Sequence, residues 1–451
     1  MKRYAEQQLI EWKNSPLRKP LLVMGARQVG KTWLMQEFGR KHYKNVAFVS
    51  FDDNERMQQA FQGGYDVERL LMVVQAESGV MPSPGTTLII FDEVQECPRA
   101  LTALKYFCEN AREYHIMAAG SLLGLQIHQG SGFPVGKVDM LHLYPMTFCE
   151  YLEAVGQESL VPMLQSADKD MINLFADRLA EQLRQYYYVG GMPEAVSVFA
   201  QTKNYELVRQ VHHNLLDGYR RDFSKHAPKE LSPRIGMIWE SIPQQLSREN
   251  KKFMCSGVAP GMRMRDIELA LQWLIDAGLI HKVSRVTKAA FPPSAYRDSV
   301  FKLFFIDVGL LAAMSDLQSR TIVEGNKIFT EFKGALAEQY VQQQLRATRN
   351  RELFYWSSNQ SDAEIDFAFS CGVSFVPVEV KAEIKLRAKS LLNFCRKQEV
   401  PLALRTSMAP FGVNKMPASD GTEFILVDIP LYAIEQAYSV CEDLMPQPAA
   451  E

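Results

Sequence analysis

Between an apolar run, Leu21-Leu22-Val23-Met24, and a helical pattern that starts at Trp33, the chain reads Gly25-Ala26-Arg27-Gln28-Val29-Gly30-Lys31-Thr32. Every element of G-x-x-x-x-G-K-[ST] is present, and the strand–loop–helix setting is the one a phosphate-binding loop requires. No other feature constrains the fold as much, because such a loop works only between a buried strand and the start of the next helix. The glycines let the backbone turn with its amides facing inward, and the helix turns its positive dipole end toward the same anion. Lys31 is expected to reach the β and γ phosphates and the Thr32 hydroxyl to ligate Mg2+. The plain alternative is a chance Gly-rich turn, which the correct context on both sides disfavours.

A second segment fits the first. Thr86-Thr87-Leu88-Ile89-Ile90-Phe91 is a short β-rich apolar run of the kind found in buried parallel strands, and it ends in Asp92-Glu93. Open α/β sheets place ligand chemistry at the carboxyl ends of their strands. Asp92 is expected to hold Mg2+ through water, and Glu93 to polarise the water that attacks the γ-phosphate. Taken alone, the pair reads equally well as an exposed strand end. A third apolar strand, residues 114–119, ends in Gly120-Ser121, and Ser121 stands where a γ-phosphate-sensing polar residue often sits; Gly-Ser also simply makes turns.

At 451 residues the chain has room for two to four domains of about 100–200 residues. Its 47% hydrophobic and 23% charged content is that of a globular protein. A formal net charge of −2 excludes a chain that is basic throughout, so any nucleic-acid surface must be local. Seven scattered cysteines with no C-x-x-C pair argue against a disulfide framework or zinc module and fit a reducing cytoplasm. No apolar run approaches the roughly 18 residues that cross a bilayer, and the N-terminus lacks the apolar core of a signal peptide.

The expected fold class is α/β: a P-loop parallel sheet with helices on both faces, then a helical lid, a winged-helix-like region and a small mixed α/β module. Residues 1–155 alternate strands and helices and read as the P-loop core. Residues 156–229 are mostly helical and hold the turn Gly190-Gly191-Met192-Pro193. Arg220 and Arg221, near the end of that stretch, are candidates for a charge-stabilising finger, against the simpler reading of a solvated helix face. Residues 230–322 contain a helix closed by Gly278 and a strand-like alternation from Ile280, a pattern that resembles a winged helix. Winged helices bind DNA in some proteins and only join domains in others.

Residues 323–451 carry separate chemistry. Glu338 lies in a helical pattern, Asp366 on a strand pattern, and Glu379 and Lys381 on another, where alternation places them on one face. The order of helix, hairpin, strand with Asp, and strand with Glu-x-Lys resembles the core of restriction-endonuclease-like nucleases, the PD-(D/E)xK superfamily. That resemblance implies Asp366 and Glu379 as ligands of one or two Mg2+ ions, Glu338 as a further ligand, and Lys381 as the group that orients water or neutralises the transition state. The alternative is a nuclease-like fold kept for binding, with its carboxylates paired to lysine. Lys385, Arg387, Lys389, Arg396 and Lys397 are candidates for a phosphate-backbone surface or, more simply, a solvated helix face.

Over nearly its whole length the chain resembles a family of bacterial and archaeal ATP-binding proteins that join an AAA-type ATPase domain to a C-terminal domain of unknown function. The resemblance is carried by residues 25–32, Phe91-Asp92-Glu93-Val94-Gln95, Gly190-Gly191-Met192-Pro193, Asp307-Val308-Gly309-Leu310 and Val378-Glu379-Val380-Lys381. It implies ATP and Mg2+ as cofactors, ATP hydrolysis, and assembly into homo-oligomers. Ser121 departs from the Asn common at that position in AAA proteins. Two functional expectations follow. One is an ATPase that drives or gates a nuclease-like domain on DNA or RNA. The other is an ATP-dependent switch that binds a protein partner, with an inert C-terminal module. Neither involves a membrane, and both place the chain in the cytoplasm.

Overall fold

The computed structural model describes residues 1–120, 133–248, 251–319, 330–358, 363–382, 389–418 and 421–445. The chain divides into two compact units. One comprises Lys2–Tyr144 and Gln272–Leu279; the other comprises Pro145–Leu271 and Ile280–Glu451, together with Met1.

The first unit is built on five parallel strands: β1 Leu21–Met24, β2 Asn45–Ser50, β3 Thr87–Asp92, β4 His115–Ala119 and β5 Asp139–His142. Their order is β2-β3-β4-β1-β5. β1, β3 and β4 are buried along their whole length, which is why they read as unbroken apolar runs rather than as alternations. Helices Lys31–His42, Glu55–Gln62, Val67–Ser78 and Pro98–Asn110 flank the sheet. Phe51, Phe61 and Phe91 meet edge to face with centroids 5.3–5.7 Å apart and fix the packing beside the end of β3. The last strand of this sheet ends at His142. Beyond Tyr144 the chain enters the second unit, where Thr147 caps helix Phe148–Ala154 in a capping box, accepting from Glu150 N while Glu150 accepts from Thr147 N.

The second unit holds one mixed sheet of eight strands: β6 Ile280–Val286, β7 Arg297–Phe305, β8 Phe354–Ser357, β9 Glu364–Cys371, β10 Ser374–Val380, β11 Leu402–Ser407, β12 Gly412–Pro417 and β13 Glu423–Pro430. The order is β12-β13-β11-β10-β9-β8-β6-β7. β6, expected as part of a wing, pairs antiparallel with β7 and parallel with β8, so this strand pair forms one edge of the same sheet that carries Asp366 and Glu379. Helix Thr330–Arg349 packs against β7 and β10. Its glutamines do the work that backbone pairing cannot do at buried element ends. Gln339 bonds Phe305 N and O, Gln343 accepts from Val308 N, and Gln344 accepts from Phe148 N.

Two of the motifs named above turn out to be one junction. Asp307 is fully buried and caps helix Val308–Met314, accepting from Gly309 N at 2.9 Å and Leu310 N at 3.1 Å. Its other oxygen accepts from Gly191 N at 2.6 Å and Gln343 Nε2 at 3.0 Å. A methyl group on Gly190 would lie 2.1 Å from Asp307 Oδ1, and one on Gly191 would lie 2.1 Å from Met146 O. A side chain at either glycine would therefore collide with this junction. Asp307→Ala strands these donors in the interior and is expected to destabilise the chain by about 3 kcal/mol. Thermal unfolding of the full chain checks this; an unchanged midpoint would contradict the role given to the junction.

Glu435 is a second buried acid. It accepts from Cys149 N at 2.7 Å, and burial pushes its carboxyl up to about 7 from an ordinary value of 4.5. The folded chain thus holds this proton more tightly than the unfolded one. The contribution, on the order of 3 kcal/mol, is fully present below about pH 4.5 and is lost as pH rises through about 7. Glu435→Gln keeps the acceptor and is expected to flatten the stability profile over that range. Denaturation of both proteins from pH 5 to pH 8 tests it, and parallel profiles would contradict it.

Candidate functional site

The loop after β1 needs three left-handed residues: Gly25 at φ 143°, Gln28 at φ 65° and Gly30 at φ 91°. Gly25 has no room for a side chain, since a methyl group there would lie 2.2 Å from Leu143 O. Gly30 leads directly into helix Lys31–His42, whose first amides border the loop. Ala26 and Val29 are buried, while Arg27 and Gln28 are exposed. All eight residues of the motif thus lie in the strand–loop–helix arrangement expected of them.

Lys31 is only 7% exposed and donates to Gly25 O at 3.0 Å and Ala26 O at 2.8 Å. Burial lowers its pKa to about 8, opposed by the nearby Glu93 and Asp92 carboxylates. The Thr32 hydroxyl donates to Asp92 Oδ2 at 2.8 Å, so the start of the helix and the end of β3 meet 60 residues apart in sequence. Burial raises the Asp92 pKa, and the Thr32 hydrogen bond opposes that rise. A hydroxyl and a poorly solvated carboxylate side by side form a hard oxygen donor set that suits Mg2+. Glu93 follows in a left-handed conformation, φ 52°, which turns it off the strand, and its Oε2 accepts from Gln95 Nε2 at 2.5 Å. Ser121 lies outside the described residues.

Two residues that sequence reasoning missed hold this loop. Arg3 is 5% exposed; its Nη1 donates to Val29 O at 2.8 Å and its Nη2 to Tyr144 O at 2.6 Å. Gly278, at φ 71°, lies against the loop from the far end of the unit, and a methyl group on it would come within 3.3 Å of Ala26 N. Nothing local marks either residue, since Arg3 is one of many N-terminal cations and Gly278 reads as an ordinary helix cap. Arg3→Ala leaves two carbonyls without their charged donor. Amide exchange of residues 26–32 is expected to accelerate about tenfold. Unchanged protection by hydrogen-exchange mass spectrometry would contradict the assignment.

The second unit gathers the other predicted residues. Glu338 comes from helix Thr330–Arg349, Asp366 from β9, Glu379 from β10, and Lys381 from just past the β10 end. Lys381 Nζ lies 2.5 Å from Glu379 Oε1, and Asp366 Oδ2 accepts from Val380 N at 2.7 Å. Burial, with the Glu338 and Glu379 charges close by, raises the Asp366 pKa well above the carboxylate range. Three participants were not foreseen: Lys302 on β7, Lys251, and Glu364 on β9. Lys302 Nζ lies 2.5 Å from Glu364 and 3.7 Å from Glu338 Oε2, and Lys251 bonds Glu338 Oε1. Of the basic candidates, Lys389 and Lys397 are exposed and Arg396 donates to Pro417 O; Lys385 and Arg387 lie outside the described residues. Arg220 pairs with Asp217 and Glu240 on its own surface.

Comparison with known proteins agrees with the first unit. Residues 17–152 match a family model described as an AAA domain. Residues 180–321 and 333–425 each match a domain of unknown function, DUF8612 and DUF4143. Residues 17–152 therefore carry an AAA-type P-loop domain, and no activity is attached to the other two matches. No curated protein matches the chain. Among solved structures, a Walker-type ATPase of Pyrococcus abyssi is 15% identical over 70% of this chain and 95% of its own, with a TM-score of 0.44. The Aeropyrum pernix Orc1 protein in complex with DNA is 14% identical over 70% and 93%, with a TM-score of 0.29. The Thermotoga maritima RuvB branch-migration motor is 13% identical over 61% and 84%, with a TM-score of 0.27. These likenesses are too distant to carry an inference. No helix among the described residues is long and apolar enough to cross a membrane.

Proposed function

We propose that this chain binds and hydrolyses ATP with Mg2+ at residues 25–32, Asp92 and Glu93, and that the cycle works a regulatory switch. The hydrogen bond from Thr32 to Asp92 carries this reading, because it unites the phosphate loop with an acidic strand end. The loop amides would bind the phosphates, and Lys31, now capping the Gly25 and Ala26 carbonyls, would turn to the β and γ oxygens. Thr32 and Asp92 would hold Mg2+, which supplies neutralising charge to the phosphates. Glu93 would accept a proton from the attacking water, with Gln95 fixing its carboxylate.

The pairing in the second unit favours a switch over a nuclease. Glu338, Glu364 and Glu379 each already hold a lysine, as expected of a nuclease-like arrangement kept without cleavage. The partner would be a protein, and assembly into homo-oligomers would bring neighbouring chains to the nucleotide.

Lys31→Ala is expected to lower ATP affinity at least about tenfold, while Glu93→Gln should retain binding and lose about 10²-fold or more in turnover. Nucleotide titration and phosphate release measure the two effects. Normal turnover by Glu93→Gln would remove that residue as the base. Plasmid and single-stranded DNA should stay intact with Mg2+ or Mn2+; cutting that both Asp366→Ala and Lys381→Ala abolish would restore the nuclease reading.

A further inference from the structure

The charged group of the second unit contains four carboxylates, Glu338, Glu364, Asp366 and Glu379, and three ammonium groups, Lys251, Lys302 and Lys381. A nuclease-like centre of this order calls for a divalent cation, and the residues present fit one poorly. Among the described residues, no three His, Cys, Asp or Glu side chains are gathered so that they could hold a metal ion. Asp366 Oδ2 is taken by Val380 N. Glu338 Oε1 holds Lys251, Glu364 holds Lys302, and Glu379 Oε1 holds Lys381. Two buried oxygens lack a hydrogen-bond partner, Glu338 Oε2 and Glu379 Oε2. The first already faces Lys302 Nζ at 3.7 Å, so of these two buried oxygens only Glu379 Oε2 has no ammonium group assigned to it, whereas a divalent ion needs several oxygens at once.

Lys302 decides the matter. It projects from a strand and is 0% exposed. Its Nζ is enclosed by Glu364, Glu338 and the ring of Tyr355, whose centroid lies 4.9 Å away. A cation that drew Glu338 away from it would weaken the pairing of a fully buried ammonium group, and a buried charge that loses its partners is strongly destabilising. Lys381, 36% exposed in its side chain, could swing aside; Lys302 could not.

We propose that lysine ammonium groups, Lys302 foremost, compensate the charge of this centre in place of a divalent metal, so that the native chain takes up no Mg2+ or Mn2+ there. This inference deepens the reading of the second unit as an inert nuclease-like module. It is independent of the ATPase assignment, because its test uses no nucleotide. Removing the Lys302 charge should leave Glu338 and Glu364 short of a cation and open the centre to one.

The test is Mn2+ titration of the nucleotide-free full chain, with free Mn2+ counted by electron paramagnetic resonance. The wild type should bind no Mn2+ ion that Glu379→Gln removes. Lys302→Met should gain one, at least about tenfold tighter than any uptake by the wild type, and Asp366→Asn added to that variant should abolish it. Lys251→Met, at the rim of the group, gives a second route to the same gain should Lys302→Met fail to fold, as judged by circular dichroism. Uptake by the wild type that Glu379→Gln abolishes would overturn the proposal. So would a folded Lys302→Met chain that takes up no more Mn2+ than the wild type.

Discussion

The hydrogen bond between Thr32 Oγ1 and Asp92 Oδ2, 2.8 Å long, is the contact on which the first unit depends. It can form only if β1 and β3 are buried parallel strands of one sheet, since their ends must open on the same edge. β4 between them keeps that register, pairing with β1 through Leu21 and Met117 and with β3 through Leu88 and His115. The loop in turn requires Gly25 to pass Leu143 O without a side chain, and Arg3 and Gly278 press on the loop from distant parts of the chain. A short motif thus rests on contacts that span the whole unit. The outcome is that Lys31, Thr32 and Asp92, distant in sequence, meet beside the loop between Gly25 and Gly30.

The second unit solves a different problem, the burial of many polar groups. Asp307 sits fully buried on donors from four residues, Gly191, Gly309, Leu310 and Gln343, and the glutamines of helix Thr330–Arg349 satisfy buried amides at the starts of neighbouring elements. Buried polar networks of this kind are costly unless every member is satisfied, and they then hold one arrangement tightly. Glu338, Glu364 and Glu379 are likewise set against ammonium groups.

The parts legible in the sequence were those set by neighbours in the chain. The phosphate loop, the Asp92-Glu93 strand end and the buried strands follow from local pattern, because burial on both faces leaves a continuous apolar run. Glu338, Asp366, Glu379 and Lys381 were legible as residue types on the right elements. Their electrostatics was not, because Lys302 reaches Glu364 across 62 residues and Lys251 reaches Glu338 across 87. Gly190 and Gly191 read correctly as a turn, while the reason for glycine there lies in Asp307, over a hundred residues away. Arg220, offered by the sequence as a finger or, more simply, as part of a solvated helix face, pairs with Asp217 and Glu240 on its own surface.

The central claim is that residues 25–32 and Asp92 grip a triphosphate together with its divalent ion. Isothermal titration of the full chain with a non-hydrolysable ATP analogue, with Mg2+ and then with EDTA, tests it most directly. The account predicts saturable binding at one site per chain that weakens at least about tenfold without Mg2+, and a loss of that Mg2+ dependence in Asp92→Ala. Absence of binding at millimolar analogue, or binding indifferent to Mg2+ in the wild type, would contradict it.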